Sequence, residues 1–368
     1  MMLDKILKAF PLGTSILCLT SGYSASTDMQ SQVNAIKEVN VHETTGALNP
    51  TARPAVNGTG FFATGDYLLW RADEDGLDYA FEATTPVGDV PLKNGKILEV
   101  HPKWSQGWRF GLGYRFPYDT WDLTSNWTHL FSRARSDAFV HPGGLLQSTL
   151  QLPDQQSLPF LYTTLDADAD FKLMYNTFDL DLGRSFFISR DLSIRPYVGL
   201  RGAWINQHLD VLYGVKDMVI TNERNTLAYH GRNFYRGVGV RSGVDINYYL
   251  NKCWSIYGKA SAAVLLGTFS ITQRVTFPRY PDMDLIHEHL HRTRTTVQAA
   301  AGIQWEHNLI KDRFHLTLSL GYEFNQWFHM NQFRTFLDNQ FLYFLGQTIP
   351  HKGNLGLQGG TFSARVDF

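Results

Sequence analysis

The sequence predicts an all-β protein: a closed antiparallel transmembrane β-barrel of about ten strands, with short periplasmic turns and long extracellular loops. Three observations carry that expectation. From Gly60 onward, long stretches alternate with period two, aromatic or aliphatic on one side and Gly, Thr or charged on the other. That pattern lines the two faces of a strand and cannot sit on one face of a helix. The links between these stretches alternate short and long, as outer-membrane barrels require. The alternation also runs to the last residue in "TFSARVDF", Thr361 to Phe368, where a chain end is ordinarily polar and unpatterned.

Composition agrees. With 368 residues, 43% hydrophobic and 18% charged, the chain is neither disordered nor of helical-membrane type. Its 17 Tyr, 25 Phe and 9 Trp stand beside 31 Gly, which supplies rings for the membrane interfaces and small residues for a narrow interior. A net charge of -1 gives no electrostatic ground for nucleic acid as a partner. Past the N-terminal segment no run of about 18 apolar residues occurs, so a transmembrane helix is excluded.

The elements follow in order. Residues 1–25 read as a cleaved secretory signal: Lys5 and Lys8 precede an apolar stretch through Leu19, then small residues around Ala25. Loss of that signal leaves Cys253 as the remaining cysteine, so no intrachain disulfide is expected. Residues 26–58 are polar, carry Pro50 and Pro54, and read as a flexible periplasmic leader, with a barrel plug as the alternative. Residues 59–368 form the barrel.

Its strands are expected at 60–72, 104–116, 119–133, 171–187, 192–210, 231–250, 253–271, 291–307, 313–330 and 356–368. In the second, Trp104, Trp108, Phe110, Leu112 and Tyr114 oppose Ser105, Gly107, Arg109, Gly111 and Gly113. Trp121, Leu123, Trp127 and Phe131 oppose Asp122, Thr124, Asn126 and Thr128 in the third. The same contrast sets Phe178, Leu180 and Leu182 against Thr177, Asp179 and Asp181, and Val238, Val240 and Val244 against Gly239, Arg241 and Asp245. Long links cover 73–103, 134–170, 211–230, 272–290 and 331–353. An even count returns both chain ends to the periplasmic side. If Asp78 to Ala83 and part of Lys96 to Val100 are wall strands instead of a hairpin in the first long loop, the count becomes twelve. The last strand is expected to pair with the first, because a free sheet edge cannot be satisfied in hydrocarbon. A terminal Phe368 on that strand resembles the assembly signal read by the bacterial barrel-assembly machinery.

The first strand and turn, "GTGFFATGDYLLWRADEDGLDYA" (Gly58 to Ala80), together with the closing "FSARVDF", resemble the Legionella-type and chlamydia-like major outer membrane protein family. The resemblance covers Gly58 to Phe368 and leaves the leader outside it. It implies a porin-like, pore-forming barrel and carries over no catalytic residues.

Function is therefore expected in the lumen. Asp66, Arg109, Asp122, Asp179 and Arg201 face inward on the alternation, as do Arg241, Lys259, Arg294 and Glu323, and these are the expected pore-lining residues. Rings of charge set ion preference in a pore, and the mid-barrel Arg and Lys suggest a weak anion preference. The bland reading is that opposite charges pair across a narrow barrel and fill it. The function expected is an outer-membrane porin, a water-filled channel for passive diffusion of ions and small hydrophilic solutes, and not an enzyme. Alternatives are a surface adhesin or structural barrel with a closed lumen, or a barrel protease or phospholipase. No cofactor is called for. "HEHLH" puts His287, His289 and His291 on one face of an extended segment, which suits a metal, but a polar rim loop accounts for it equally and no metal site is assigned. Asp73, Asp75 and Asp78 lack the ligand series of a calcium loop. The Gly-rich "GVGVRSG", Gly237 to Gly243, has no helix after it to cradle phosphate. Expected partners are outer-membrane lipid, the assembly machinery and small hydrophilic solutes. Lipid-facing and protein-facing aromatics read alike, so a homo-oligomer is compatible with the pattern.

Overall fold

The computed structural model describes residues 60–84, 93–117, 120–141, 144–150, 162–189, 191–217, 224–251, 253–277, 280–309, 314–337, 347–350 and 352–368. The expected signal and leader, 1–25 and 26–58, lie outside the described residues. In chain order the strands are β1 (Gly60–Glu74), β2 (Asp78–Thr84), β3 (Lys93–Glu99), β4 (Trp104–Arg115), β5 (Trp121–Phe139), β6 (Gly144–Ser148), β7 (Tyr162–Arg184) and β8 (Phe186–Phe187). They continue as β9 (Leu192–Asp217), β10 (Arg224–Tyr249), β11 (Trp254–Phe277), β12 (Tyr280–Leu309), β13 (Phe314–Trp327), β14 (Arg334–Leu337), β15 (Gln347–Pro350) and β16 (Leu355–Asp367).

Ten of these close a ring in the order β1, β4, β5, β7, β9, β10, β11, β12, β13, β16 and back to β1, every neighbour antiparallel. Closure runs from Phe62 opposite Asp367 to Glu74 opposite Leu355, with Phe368 N–H donating to the carbonyl of Phe61 at 2.9 Å. The chain's last strand thus leaves no edge against its first, as a wall in hydrocarbon demands. The twelve-strand alternative falls: β2 and β3 form a hairpin whose outer neighbour is β6, above the wall and not part of it. β14 and β15 make a separate hairpin in the last long link.

Outward-facing side chains form an apolar band. On β10 it runs from Val238 to Tyr248, which at about 3.3 Å per residue and about 40° tilt is about 25 Å along the membrane normal. Val238, Val240, Leu112 and Phe110 are each 60% exposed or more, a waste of apolar surface in water and the reason for placing them in lipid. Rings mark both margins, including Trp121, Trp254 and Phe61 near the periplasmic end and Trp104, Trp204 and Phe324 toward the other.

Several strands rise well beyond the expected ends. β5 continues to Phe139, β9 to Asp217 and β11 to Phe277, while β7, β10 and β12 begin at Tyr162, Arg224 and Tyr280. Much of the expected long links at 134–170, 211–230 and 272–290 is therefore wall. The physical reason is a reversal of phase. Within the membrane the outer face is apolar and the inner face polar. Above it, inward Leu209, Val211, Tyr213, Tyr229, Phe269 and Ile271 are buried, while outward His208, Asp210, Arg232 and Arg274 are polar.

Two inward glycines open crossings in the wall. Gly199 lies in register between Asp181 on β7 and Arg241 on β10, and these two bond across it. Gly183 lies between Asp122 on β5 and Tyr197 on β9, beneath the guanidinium of Arg195; a Cβ there would sit 2.5 Å from Arg195 Nη2. At Gly199 a Cβ would stand 2.5 Å from Asp181 Oδ1 and 2.8 Å from its Cα, so the obstruction includes backbone. Gly199→Val is expected to lower stability by about 1–3 kcal/mol through overpacking, read as a lower urea midpoint for the protein in lipid vesicles; an unchanged midpoint would contradict the crossing.

Candidate functional site

The interior divides into two parts along the barrel axis. On the periplasmic side is a vestibule of about 1130 Å³. It is lined by side chains from every barrel strand, among them Asp122, Arg195, Lys259, His315, Arg365 and Asp367. Its inner end is a layer of charge held by cross-strand register. Asp66 stands opposite Arg109, and Arg109 also grips Glu323 with both terminal nitrogens, at 3.2 and 2.8 Å. Asp179 stands opposite Arg201 and accepts two bonds from it, at 2.6 and 2.8 Å. Arg241 bonds Asp181 over Gly199. Nearer the opening, Arg195 joins Asp122 at 2.8 Å and Asp245 at 2.9 Å.

Gln298 ties the layer together. Its Oε1 accepts from Arg201 at 3.1 Å, Arg241 at 3.3 Å and Ser261 at 3.4 Å, and its Nε2 donates to Glu323. The network therefore joins β9 and β10 to β12 and β13 inside the barrel. Arginines satisfied by bidentate carboxylates on a rigid wall are geometrically fixed.

Above this layer the interior becomes mainly apolar. Trp70, Tyr175 and Trp327 form a floor of rings, with Arg109 5.6 Å from the Trp70 ring centre and Arg201 6.0 Å from that of Trp327. Tyr175 and Trp327 pack edge to face at 5.9 Å. Beyond the floor one continuous apolar cluster fills the barrel, with side chains such as Leu130, Leu173, Ile205, Tyr229, Leu265 and Leu357. The segment after β13 folds into it: Met330 and Phe333 are buried, and the Met330 carbonyl accepts from Asn233 at 2.8 Å. Asn331 donates to the carbonyls of Asp75 and Gly76 at 2.9 and 3.1 Å, which fixes the "DEDG" turn. A thin polar thread crosses the cluster, from Glu74 through Gln207 to Asn233, at 2.7 and 2.6 Å.

Seven of the nine expected pore-lining residues do line the vestibule: Asp66, Arg109, Asp122, Asp179, Arg241, Lys259 and Glu323. Two do not. Arg201 points inward but is 2% exposed and sealed behind its ion pair. Arg294 also points inward, yet it sits within the apolar part, 4.7 Å from the Phe269 ring centre, because its height on β12 is above the charge layer. Lys259 has no carboxylate partner among the described residues and lies over Tyr257 at 5.4 Å. Sequence reading singled out neither Arg195 nor Gln298 as a site residue; alternation faced them inward, but their partners depend on register.

His287, His289 and His291 lie on β12, share its outer face and are exposed. No group of three metal-ligating side chains suited to a metal occurs among the described residues. Gly237 to Gly243 lies wholly within β10. Phe368 ends the closing strand with its side chain half exposed.

The family model described as Legionella pneumophila major outer membrane protein precursor matches residues 7–368. The match therefore takes in residues 7–57, which the resemblance left outside, as well as the barrel. No curated protein matches the chain. Among solved structures, the outer membrane protease OmpT of Escherichia coli has 8% identity and a TM-score of 0.37, covering 84% of this chain and 96% of that one. Ail, the attachment invasion locus protein of Yersinia pestis, has 13% identity and a TM-score of 0.24, covering 85% and 100%. The toluene transporter TodX of P. putida has 10% identity and a TM-score of 0.26, covering 87% and 92%.

Proposed function

Because the chain belongs to the Legionella pneumophila major outer membrane protein family, we propose that it acts as an outer-membrane barrel closed to small hydrophilic solutes, whose tall external end, and not a lumen, meets the outside. The observation that carries this reading is the apolar cluster above the charge layer. It takes side chains from β1, β5, β7, β9, β10, β11, β13 and β16, and the polar side chains that cross it, Glu74, Gln207 and Asn233, are buried and hydrogen-bonded to one another. An ion entering from the periplasm would have to leave water for a region of buried rings, which costs several kcal/mol or more. A ten-stranded wall also leaves little width once its side chains are placed. The expected free ring of charge is replaced in this reading by paired charge, so Arg109, Arg201 and Arg241 act as struts between strands. The class supported is the structural or adhesive surface barrel.

A second reading, a gated pore, is favoured by the vestibule itself, about 1130 Å³ and lined by charged and polar side chains such as Arg195, Lys259 and Asp367. Swelling of vesicles containing the refolded protein separates the two. Arabinose is expected to enter no faster than into protein-free vesicles; rapid, saturation-free entry would support the pore.

A further inference from the structure

Just beyond the apolar band, the outer surface carries bases from four neighbouring strands in direct register. Arg133 on β5 stands opposite Lys172 on β7, Lys172 opposite His208 on β9, and His208 opposite Arg232 on β10. Arg236, four residues from Arg232 on the same outward face with Phe234 between them, follows directly on the outward Val238 of β10. Like charges placed opposite one another across strands, about 5 Å apart, as Arg133 and Lys172 are, destabilise a sheet, and partial burial together with the neighbouring Arg232 disfavours the charged form of His208. The row therefore costs stability unless anions neutralise it.

The chain neutralises one side of it. Asp170 accepts from Arg133 at 2.9 Å and lies 3.5 Å from Lys172, while Asp210 lies 3.5 Å from Lys172 and 2.8 Å from His230. Both acids are one outward step farther from the membrane than the row, with Asp137 and Asp168 farther still. On the membrane side the next outward residues are Phe131, Met174, Asn206 and Phe234, with no carboxylate. Arg232 is exposed and has neither an ion-pair nor a hydrogen-bond partner among the described residues. Arg236 meets the Phe234 ring at 4.4 Å and no carboxylate among them. Opposite these two arginines β11 offers the hydroxyls of Thr272 and Thr268.

We propose that this arc binds the phosphate groups of anionic lipid in the external leaflet. The lipid's chains would lie against the apolar outward residues below, such as Trp204 and Val238, and its phosphates at the level of the bases. Guanidinium groups take phosphate bidentately, and long basic side chains reach from an apolar stem to a polar margin. The periplasmic ends of the same strands present Trp121, Arg184, Ile194 and Tyr248 outward, aromatic or aliphatic apart from Arg184. The asymmetry favours the external leaflet.

The test titrates the full-length protein in phosphatidylcholine nanodiscs with a bisphosphorylated lipid A and follows its thermal unfolding midpoint. Inorganic phosphate and the dephosphorylated glycolipid are run in parallel. The lipid A is expected to raise the midpoint, with the two controls inert. The R232S/R236S variant, changed only at exposed positions, is expected to weaken the apparent affinity about five-fold per cation removed, and Arg184→Ser to leave it unchanged. Lys172→Ser, on a different strand, should weaken it as well. A midpoint indifferent to lipid A, an equal response to the dephosphorylated lipid, a response reproduced by inorganic phosphate, or unchanged affinity in both arc variants would each overturn the proposal.

Discussion

Replacing Arg201 with alanine is expected to destabilise the barrel by about 3–5 kcal/mol, because it leaves a carboxylate buried without its partner. Asp179 is 5% exposed and receives both of its short bonds, 2.6 and 2.8 Å, from Arg201. Its other cation, Arg241, is 3.8 Å away and committed to Asp181. Alanine would also release the Gln298 Oε1 contact that helps join β9 to β12. The urea midpoint of the protein in lipid vesicles reads the loss directly. The pairing account makes a second demand: Arg201→Met with Asp179→Leu should recover most of the lost stability, since removing both charges costs far less than stranding one. A double variant no better than Arg201→Ala would mean that the site is held by something other than the pair.

Trp327→Ala is expected to cost about 3–5 kcal/mol, the range for deleting a large buried ring. Trp327 is fully buried at the junction of the two interior layers, edge to face with Tyr175 and with its ring centre 6.0 Å from the Arg201 guanidinium. Its removal leaves a hole in the floor that β-strand walls on all sides cannot collapse to fill. Trp254→Ala, an outward ring at the periplasmic margin, 45% exposed, serves as the comparison and should cost clearly less. Because Trp327 and Arg201 touch, their effects should not add: the double variant is expected to fall short of the sum of the singles. Equal losses from Trp327 and Trp254 would contradict a packed floor.

Much of this was legible in the chain. The alternation placed Asp66, Arg109, Asp179, Arg241 and Glu323 on the inner face without any knowledge of neighbours, because period two alone decides which side a residue takes. The closing strand followed from the same rule plus the demand that no edge face hydrocarbon. The heights of the strands were not legible. Residues such as Leu227, Tyr229 and His230, before the expected start at 231, still alternate, but with the apolar residues inside, and a lipid-facing apolar series ends where that reversal begins. Arg294 was misplaced for the same reason: parity gives the face, and only the stagger of ten tilted strands gives the level. The pairs Arg241 with Asp181 and Arg195 with Asp122 skip a strand over Gly199 and Gly183, so they depend on register between strands far apart in sequence.

The division of the interior gives the charged residues a meaning different from the one their types suggest. Inward Arg and Asp on a barrel invite a selectivity reading. Here each arginine of the inner layer is held by carboxylates, and the rings of Trp70 and Trp327 lie over two of them. The same side chains then stiffen a narrow wall that the membrane alone would not hold in a single shape.

Single-channel recording of the refolded full-length protein in a planar bilayer tests the closed interior most directly. The account predicts a quiet baseline after insertion, with heat-modifiable migration showing that the inserted protein is folded. Discrete, stable current steps from that same folded material would contradict it, and would mean that ions pass the level of Trp70, Tyr175 and Trp327.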